Sequence, residues 1–308
     1  MINTLCIGSG GIKGISYIGA LLYLEKNNYI TITNIQKYTG VSAGCLLCIL
    51  LVVGYKIDEI YNIINVKDIN ELKPDITLDL IIEKYGFDDG EKIINYFKKI
   101  IFLKLKYNNN DISFIELYKI TNKELYIATT NFSKNTEKIF SFKETPNISI
   151  FLAIRMSISI PLIYTPVLFE NNYYVDGALT NNVYILENSD PKKTLVLYIN
   201  KFVPTDILSI KDIIIGSILI MCDQIIQKNL KKYNCLKINY INIIFSSEIY
   251  ITNKILDLLF LNGKKSAKKF LKKQLKIKID ILKNEIINKK KHIIKDILNN
   301  IIIKIENE

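Results

Sequence analysis

Through the front half of the chain, short apolar runs alternate with segments whose apolar residues recur at helical spacing. That alternation predicts an α/β fold. Residues 4–8 predict a first strand ending in a glycine cluster, and residues 15–26 a helix with an apolar face at Tyr17, Ile18, Leu21, Leu22 and Leu24. Residues 35–40 predict a second strand and residues 43–53 a strongly apolar helix. Residues 56–120 read as helical, a cap or insertion, with Ser113 and Glu116 spaced as a capping box. β-Branched and aromatic residues mark strands at 125–130, 138–142, 195–199 and 240–245. Helices are expected at 148–157, stopped ahead of Pro161, and at 207–230.

From about residue 250 the pattern changes to Ile, Leu and Lys at helical spacing. Between Lys264 and Lys295 stand thirteen lysines, against Asp280 and Glu285. The excess in this window equals the whole net charge of +11. It predicts a basic amphipathic helical region, 249–308, after an α/β body, 1–248. Such a helix can pack its apolar face on the body or lie on an anionic membrane surface. Nucleic-acid binding is not expected, since no recognised module surrounds the lysines.

Composition narrows the chemistry. The 308 residues are 49% apolar, enough for a sizeable core. His292 is the one histidine and sits in the lysine-rich tail, so a Ser-His-Asp triad or a histidine-ligated metal site is not expected. Five cysteines without a secretory leader predict a reducing compartment and packed thiols, Cys45 and Cys48 among them. The apolar runs at 45–54 and 213–222 have about half the length that a bilayer span requires. The expectation is a cytoplasmic or intracellular protein, peripherally membrane-associated and without a cofactor.

Three motifs carry chemistry. Gly40-Val41-Ser42-Ala43-Gly44 fits G-x-S-x-G, the elbow that presents a nucleophilic serine between a strand and a helix. Gly8-Ser9-Gly10-Gly11-Ile12-Lys13-Gly14 follows a strand and can aim backbone N–H groups at an anion. It lacks the order of a P-loop and the last glycine of a dinucleotide fingerprint. A weaker cofactor spacing through Gly8, Gly10 and Gly14 and an oxyanion hole both remain open. Asp176 ends the apolar run Tyr173-Tyr174-Val175 and is followed by Gly177 and Ala178. Without a usable histidine, it is the leading candidate to activate Ser42.

Glycine-rich loop, serine elbow and Asp-Gly-Ala, in that order, resemble the patatin-like phospholipases. The stretch Ser157-Ile158-Ser159-Ile160-Pro161, with Pro166-Val167, is similar to the Ser- and Pro-containing segment before that family's aspartate. The matches span about residues 4–183. The resemblance implies a three-layer α/β/α hydrolase core with a mostly parallel central sheet and added helices. It implies a Ser42–Asp176 dyad, with Ser42 as nucleophile and Asp176 as base. The oxyanion hole would be built from Gly10, Gly11, Ile12, Lys13 and Gly14, Lys13 orienting that loop or meeting a lipid phosphate. Two departures stand out: Ser9 replaces the usual first glycine of the block, and Asn181-Asn182-Val183 lacks the proline frequent after the aspartate. The implied activity is phospholipase A-type acyl-ester hydrolysis through an acyl-serine. The alternatives are a neutral-lipid lipase, thioesterase or acyltransferase on the same dyad, a silent membrane-binding protein, or a nucleotide-binding oxidoreductase.

Overall fold

The computed structural model describes residues 1–64, 71–75, 78–200, 213, 216–218, 220–225, 227–228, 239–244 and 252–306. Its elements in chain order are β1 (Thr4–Ile7), α1 (Ile15–Lys26), β2 (Lys37–Val41), α2 (Ala43–Val52), α3 (Ile57–Ile63) and α4 (Leu78–Lys84). β3 (Gly86–Asp88), α5 (Glu91–Leu105), α6 (Phe114–Thr121), β4 (Glu124–Asn131), β5 (Thr136–Ser141) and α7 (Ile150–Ser157) follow. The last are β6 (Leu162–Tyr164), β7 (Val167–Phe169), β8 (Asn172–Asp176), β9 (Thr194–Asn200), β10 (Asn239–Ile244) and α8 (Asn253–Glu306).

The central sheet runs β10-β9-β1-β2-β4-β8-β7, with β5 also paired to β4. From β10 to β4 every pairing is parallel, while β8, β7 and β5 join antiparallel. The fold is a mixed α/β/α architecture with a mostly parallel sheet. β1 lies between β2 and β9 and is buried along its whole length, which is why it reads as a continuous apolar run. α2 packs on β2 and β4, and α7 on β4 and β8. Cys45 and Cys48 are buried in α2, and burial pushes both thiols well up.

Several expected boundaries move for local reasons. Ile35 closes a 3-10 turn (Ile32–Asn34), so β2 starts at Lys37. Ser149 caps α7 by accepting the N–H of Leu152 at 3.2 Å, so that helix starts at Ile150. The expected capping box holds, with Ser113 and Glu116 bonded to each other's backbone N–H. The stretch 56–120 is not all helix, because β3 interrupts it and pairs in parallel with β6. Three residues carry no period to read, and this pairing depends on a partner distant in sequence. The helix expected at 207–230 is helical at the described positions within 213–228. Its remaining residues, with Phe245 and Cys235, lie outside the described residues.

The chain divides into two compact units, Met1–Ala267 and Lys268–Glu308. The expected division at 248/249 falls ahead of α8, whereas this one falls inside it. Within the first unit the opening turns of α8 cross α1 at backbone contact. A Cβ on Gly19 would lie 2.0 Å from the Phe260 carbonyl oxygen, and one on Gly263 1.8 Å from that of Ser16. Tyr61 of α3 completes this contact, donating its hydroxyl to Asp257 at 2.7 Å and packing on the Phe260 ring. The second unit is helix as far as Glu306, with Leu275, Ile279, Leu282 and Ile286 exposed among its lysines. Among the described residues, no helix is long and apolar enough to cross a membrane.

Candidate active site

Sheet register brings the chemistry-bearing residues together. β4 lies between β2 and β8, with Val41 opposite Ala128 and Thr129 opposite Asp176. Ser42 follows Val41 directly, so the serine and the aspartate flank one strand at the same sheet edge. Ser42 Oγ donates to Asp176 Oδ2 at 2.6 Å, and both residues are buried.

The turn that carries Ser42 is tight. Its φ of 53° and ψ of −129° are strained for a residue with a side chain, which is the mark of a nucleophile elbow. The flanking glycines are required by contact. A Cβ at Gly40 would sit 2.4 Å from Cys45 Cα, and one at Gly44 2.4 Å from the Ile7 carbonyl oxygen. The Ser42 N–H donates to Ser157 Oγ at 2.9 Å, and that hydroxyl donates to the Ala128 carbonyl at 2.7 Å. Ser157 thus ties the elbow to β4 from the end of α7.

Asp176 is placed as firmly. Its Oδ1 accepts the Ala178 N–H at 2.8 Å, its carbonyl accepts Thr130 Oγ1 at 2.9 Å, and its own N–H donates to the Ser159 carbonyl at 2.9 Å. Burial pushes the Asp176 carboxyl up to about 7, against the opposing pull of the bonds from Ser42 and Ala178. A carboxyl poised there can take and return a proton near neutral pH.

The glycine-rich loop runs from the end of β1 into a 3-10 turn over Gly11–Gly14. Gly11, Ile12 and Gly14 line the same cavity as Ser42. The N–H of Lys13 is used within the turn, bonding the Gly10 carbonyl at 3.0 Å. Those of Gly11, Ile12 and Ala43 take no bond among the described residues, as the first N–H groups of helical turns generally do not. The Lys13 side chain is more than half buried, and that burial lowers its pKa. Ser9 is held by the stretch after Asp176: Ser9 Oγ donates to Asn182 Oδ1, and the Ser9 N–H to the Asn182 carbonyl at 2.9 Å. Tyr17 adds a third hold, its hydroxyl donating to the Ser9 carbonyl at 2.7 Å.

The cavity has a volume of about 310 Å³ and walls that are almost wholly apolar. Leu46 and Leu50 of α2 line it, as do Ile63, Tyr96 and Phe97 of the 56–120 stretch and Ile160 of the 158–164 stretch. Lys73, exposed, is the charged residue among the lining groups. Such a cavity suits an apolar chain, and the bond from Ser42 in its wall to Asp176 suits acyl transfer through serine. Sequence reading placed Ser42, Asp176 and the loop. It noted Ser157 and Ser159 only as part of a segment, and it missed Arg155, whose signal is that it is the one arginine of the chain. No group of three or more His, Cys, Asp or Glu side chains able to hold a metal ion occurs among the described residues.

A serine elbow on a parallel α/β sheet, paired with an aspartate and opening into an apolar cavity, defines a class of acyl-hydrolase folds. The family model of the patatin-like phospholipases matches residues 5–187, and the chain belongs to that family. An uncharacterised protein of Acanthamoeba polyphaga mimivirus is 38% identical over 197 residues, covering 63% of this chain and 64% of its own. A protein of Invertebrate iridescent virus 6 named as a probable lipid hydrolase is 31% identical over 189 residues, covering 58% of this chain and 61% of its own. The chain thus spans less than two thirds of the length of these relatives. Among solved structures, VipD of Legionella pneumophila superposes with a TM-score of 0.53 at 17% identity, over 88% of this chain and 67% of that one. ExoU of Pseudomonas aeruginosa, in its complex with SpcU, gives 0.51 at 16%, over 89% and 52%. At these identities the likeness is one of fold.

Proposed function

We propose that this protein is a lipid acyl hydrolase of the phospholipase A type, working through a Ser42–Asp176 dyad. The observation that carries this reading is the 2.6 Å hydrogen bond to Asp176 from Ser42, which lines an apolar cavity. Asp176 takes the Ser42 hydroxyl proton as Oγ attacks the ester carbonyl. The N–H groups of the Gly10–Gly14 loop and of Ala43, at the start of α2, receive the developing oxyanion. Asp176 then returns the proton to the leaving alkoxide, and the acyl group stays on Ser42. In the second half, Asp176 takes a proton from water, the hydroxide attacks the acyl-serine, and the proton returns to Ser42 Oγ as the fatty acid leaves. No step needs a histidine or a redox group.

The substrate class follows from the walls. The cavity accepts an acyl chain, and Lys73 supplies a cation for a phosphate-bearing ester, which favours phospholipids over neutral lipids. That Gly11, Ile12 and Gly14 line the same cavity as Ser42 supports the oxyanion role over the dinucleotide one. The lysine-rich stretch 264–295 supports peripheral docking on an anionic membrane, where the substrate resides. The test is fatty-acid release from mixed phospholipid vesicles by wild type, Ser42→Ala and Asp176→Asn. Release by wild type, lost in both variants, is the expected result. Undiminished release by Ser42→Ala overturns the assignment.

A further inference from the structure

Of the 41 lysine and arginine residues in this chain, one is an arginine, Arg155. In a sequence so biased to lysine, an arginine marks a place where a point charge on a flexible stem does not serve. The guanidinium differs in being a planar fork of five donors.

Arg155 uses that fork on three residues. Its Nε donates to the Asp89 carbonyl, and Nη1 to Ser159 Oγ. Nη2 donates to Thr165 twice, to the carbonyl at 2.9 Å and to Oγ1 at 2.8 Å. The guanidinium carbon lies 5.7 Å from the Tyr164 ring centre. Backbone is shaped around it. Gly90 has a φ of +70°, and a Cβ there would lie 2.6 Å from Arg155 Nε.

What the fork holds reaches both the base and the cavity wall. The Ser159 carbonyl accepts the Asp176 N–H at 2.9 Å, so the segment that Arg155 grips also sets the main chain of the base. Ile158, Ile160, Ile163 and Tyr164, all between the two gripped residues or beside them, line the cavity. Thr165 donates its N–H to the Asp88 carbonyl at 2.9 Å, and the Asp88 carboxylate accepts the N–H groups of Asp75 and Gly90 at 2.6 Å each. Pro74, next to Asp75, is a further cavity residue.

We infer that Arg155 is a positioning residue whose guanidinium fork holds the 158–165 segment, setting both the acyl-chain preference of the cavity and the alignment of Asp176 with Ser42. This rests on the acyl-hydrolase reading above. Lysine cannot replace it, because one ammonium cannot span Asp89, Ser159 and Thr165 together.

The experiment compares full-length wild type, Ser42→Ala, Arg155→Lys and Thr165→Val on p-nitrophenyl octanoate and palmitate, with kcat, KM, the acid limb of the pH profile and Tm measured for each. Arg155→Lys is expected to lower kcat about tenfold or more and to cut the palmitate-to-octanoate ratio of kcat/KM about fivefold. Thr165→Val, which keeps volume but removes one acceptor, is expected to move the ratio in the same direction by less. A purely structural arginine would lower Tm and leave the ratio and the pH profile in place, and that result overturns the inference. If Arg155→Lys does not fold, an unchanged ratio in Thr165→Val overturns it instead. Turnover by wild type but not by Ser42→Ala, with both other variants unaltered, sinks this inference alone. No turnover by wild type sinks the acyl-hydrolase reading and this inference with it.

Discussion

Ser157 and Ser42 are joined by a buried hydrogen bond of 2.9 Å, from the N–H of the elbow serine to a hydroxyl that is itself bonded to β4. The strained turn is thus held by a side chain 115 residues further along. Ser157→Ala leaves the Ser42 N–H and the Ala128 carbonyl short of a partner. A loss of about 1–3 kcal/mol in unfolding free energy is expected. A fall in kcat with little change in KM should accompany it, since the elbow loosens while the cavity stays. Denaturant unfolding and steady-state kinetics on one preparation check both.

The raised Asp176 carboxyl sets a pH dependence with a definite sign. As the base, it must be ionised, so kcat/KM should rise with pH along an acid limb and level off above about 7. An acid limb centred near the ordinary carboxylate value of 3.8 would contradict this. Stability runs the other way. Between pH 3.8 and about 7 the folded state keeps a proton that the unfolded chain has released, so this group's contribution falls as pH rises and is fully lost above 7. Asp176→Asn removes that penalty. Its stability relative to wild type should grow by up to about 4 kcal/mol from pH 4 to pH 8, read by denaturant titration at each pH.

The elbow glycines are a matter of contact. Gly44→Ala places a methyl group 2.4 Å from the Ile7 carbonyl oxygen and 2.5 Å from that of Gly8. Backbone on both sides must move, at a cost of about 1–3 kcal/mol or more. Activity should fall further than stability, because the shift separates β1, which leads into the oxyanion loop, from the elbow. Comparing Tm with kcat for this variant checks the order.

Ser9, which replaces the usual first glycine of the loop, bonds to Asn182 through both side chain and backbone. Ser9→Ala and Asn182→Ala should therefore be non-additive, with a coupling of about 0.5–3 kcal/mol in a double-mutant cycle on stability. Strict additivity would mean that the two residues act independently.

Docking by the basic region predicts salt dependence. Replacing Lys272, Lys276, Lys278 and Lys283, all exposed, by Gln should weaken binding to anionic vesicles about tenfold or more. Hydrolysis of a soluble short-chain ester should be unaffected. Vesicle co-sedimentation at two ionic strengths beside an ester assay separates these effects. Equal binding by variant and wild type would remove the basic region from membrane docking.

By itself the sequence determined whatever is local or ordered along the chain. Gly40 and Gly44 announced a tight turn because no side chain fits beside it, and the apolar runs of β1 and β9 announced buried central strands. The lone histidine in a lysine-rich tail left an aspartate as the group able to act on Ser42. Three ordered motifs then carried the family. Only the tertiary structure decided what depends on partners remote in sequence. Sheet register across β4 brings Ser42 within 2.6 Å of Asp176 over 134 residues. The pairing of β3 with β6, the bond between Ser9 and Asn182, and the bond from Arg155 to Asp89 are of the same kind. Hydrogen bonds between distant segments leave no period in the sequence, since each partner alone reads as an ordinary turn, serine or charge.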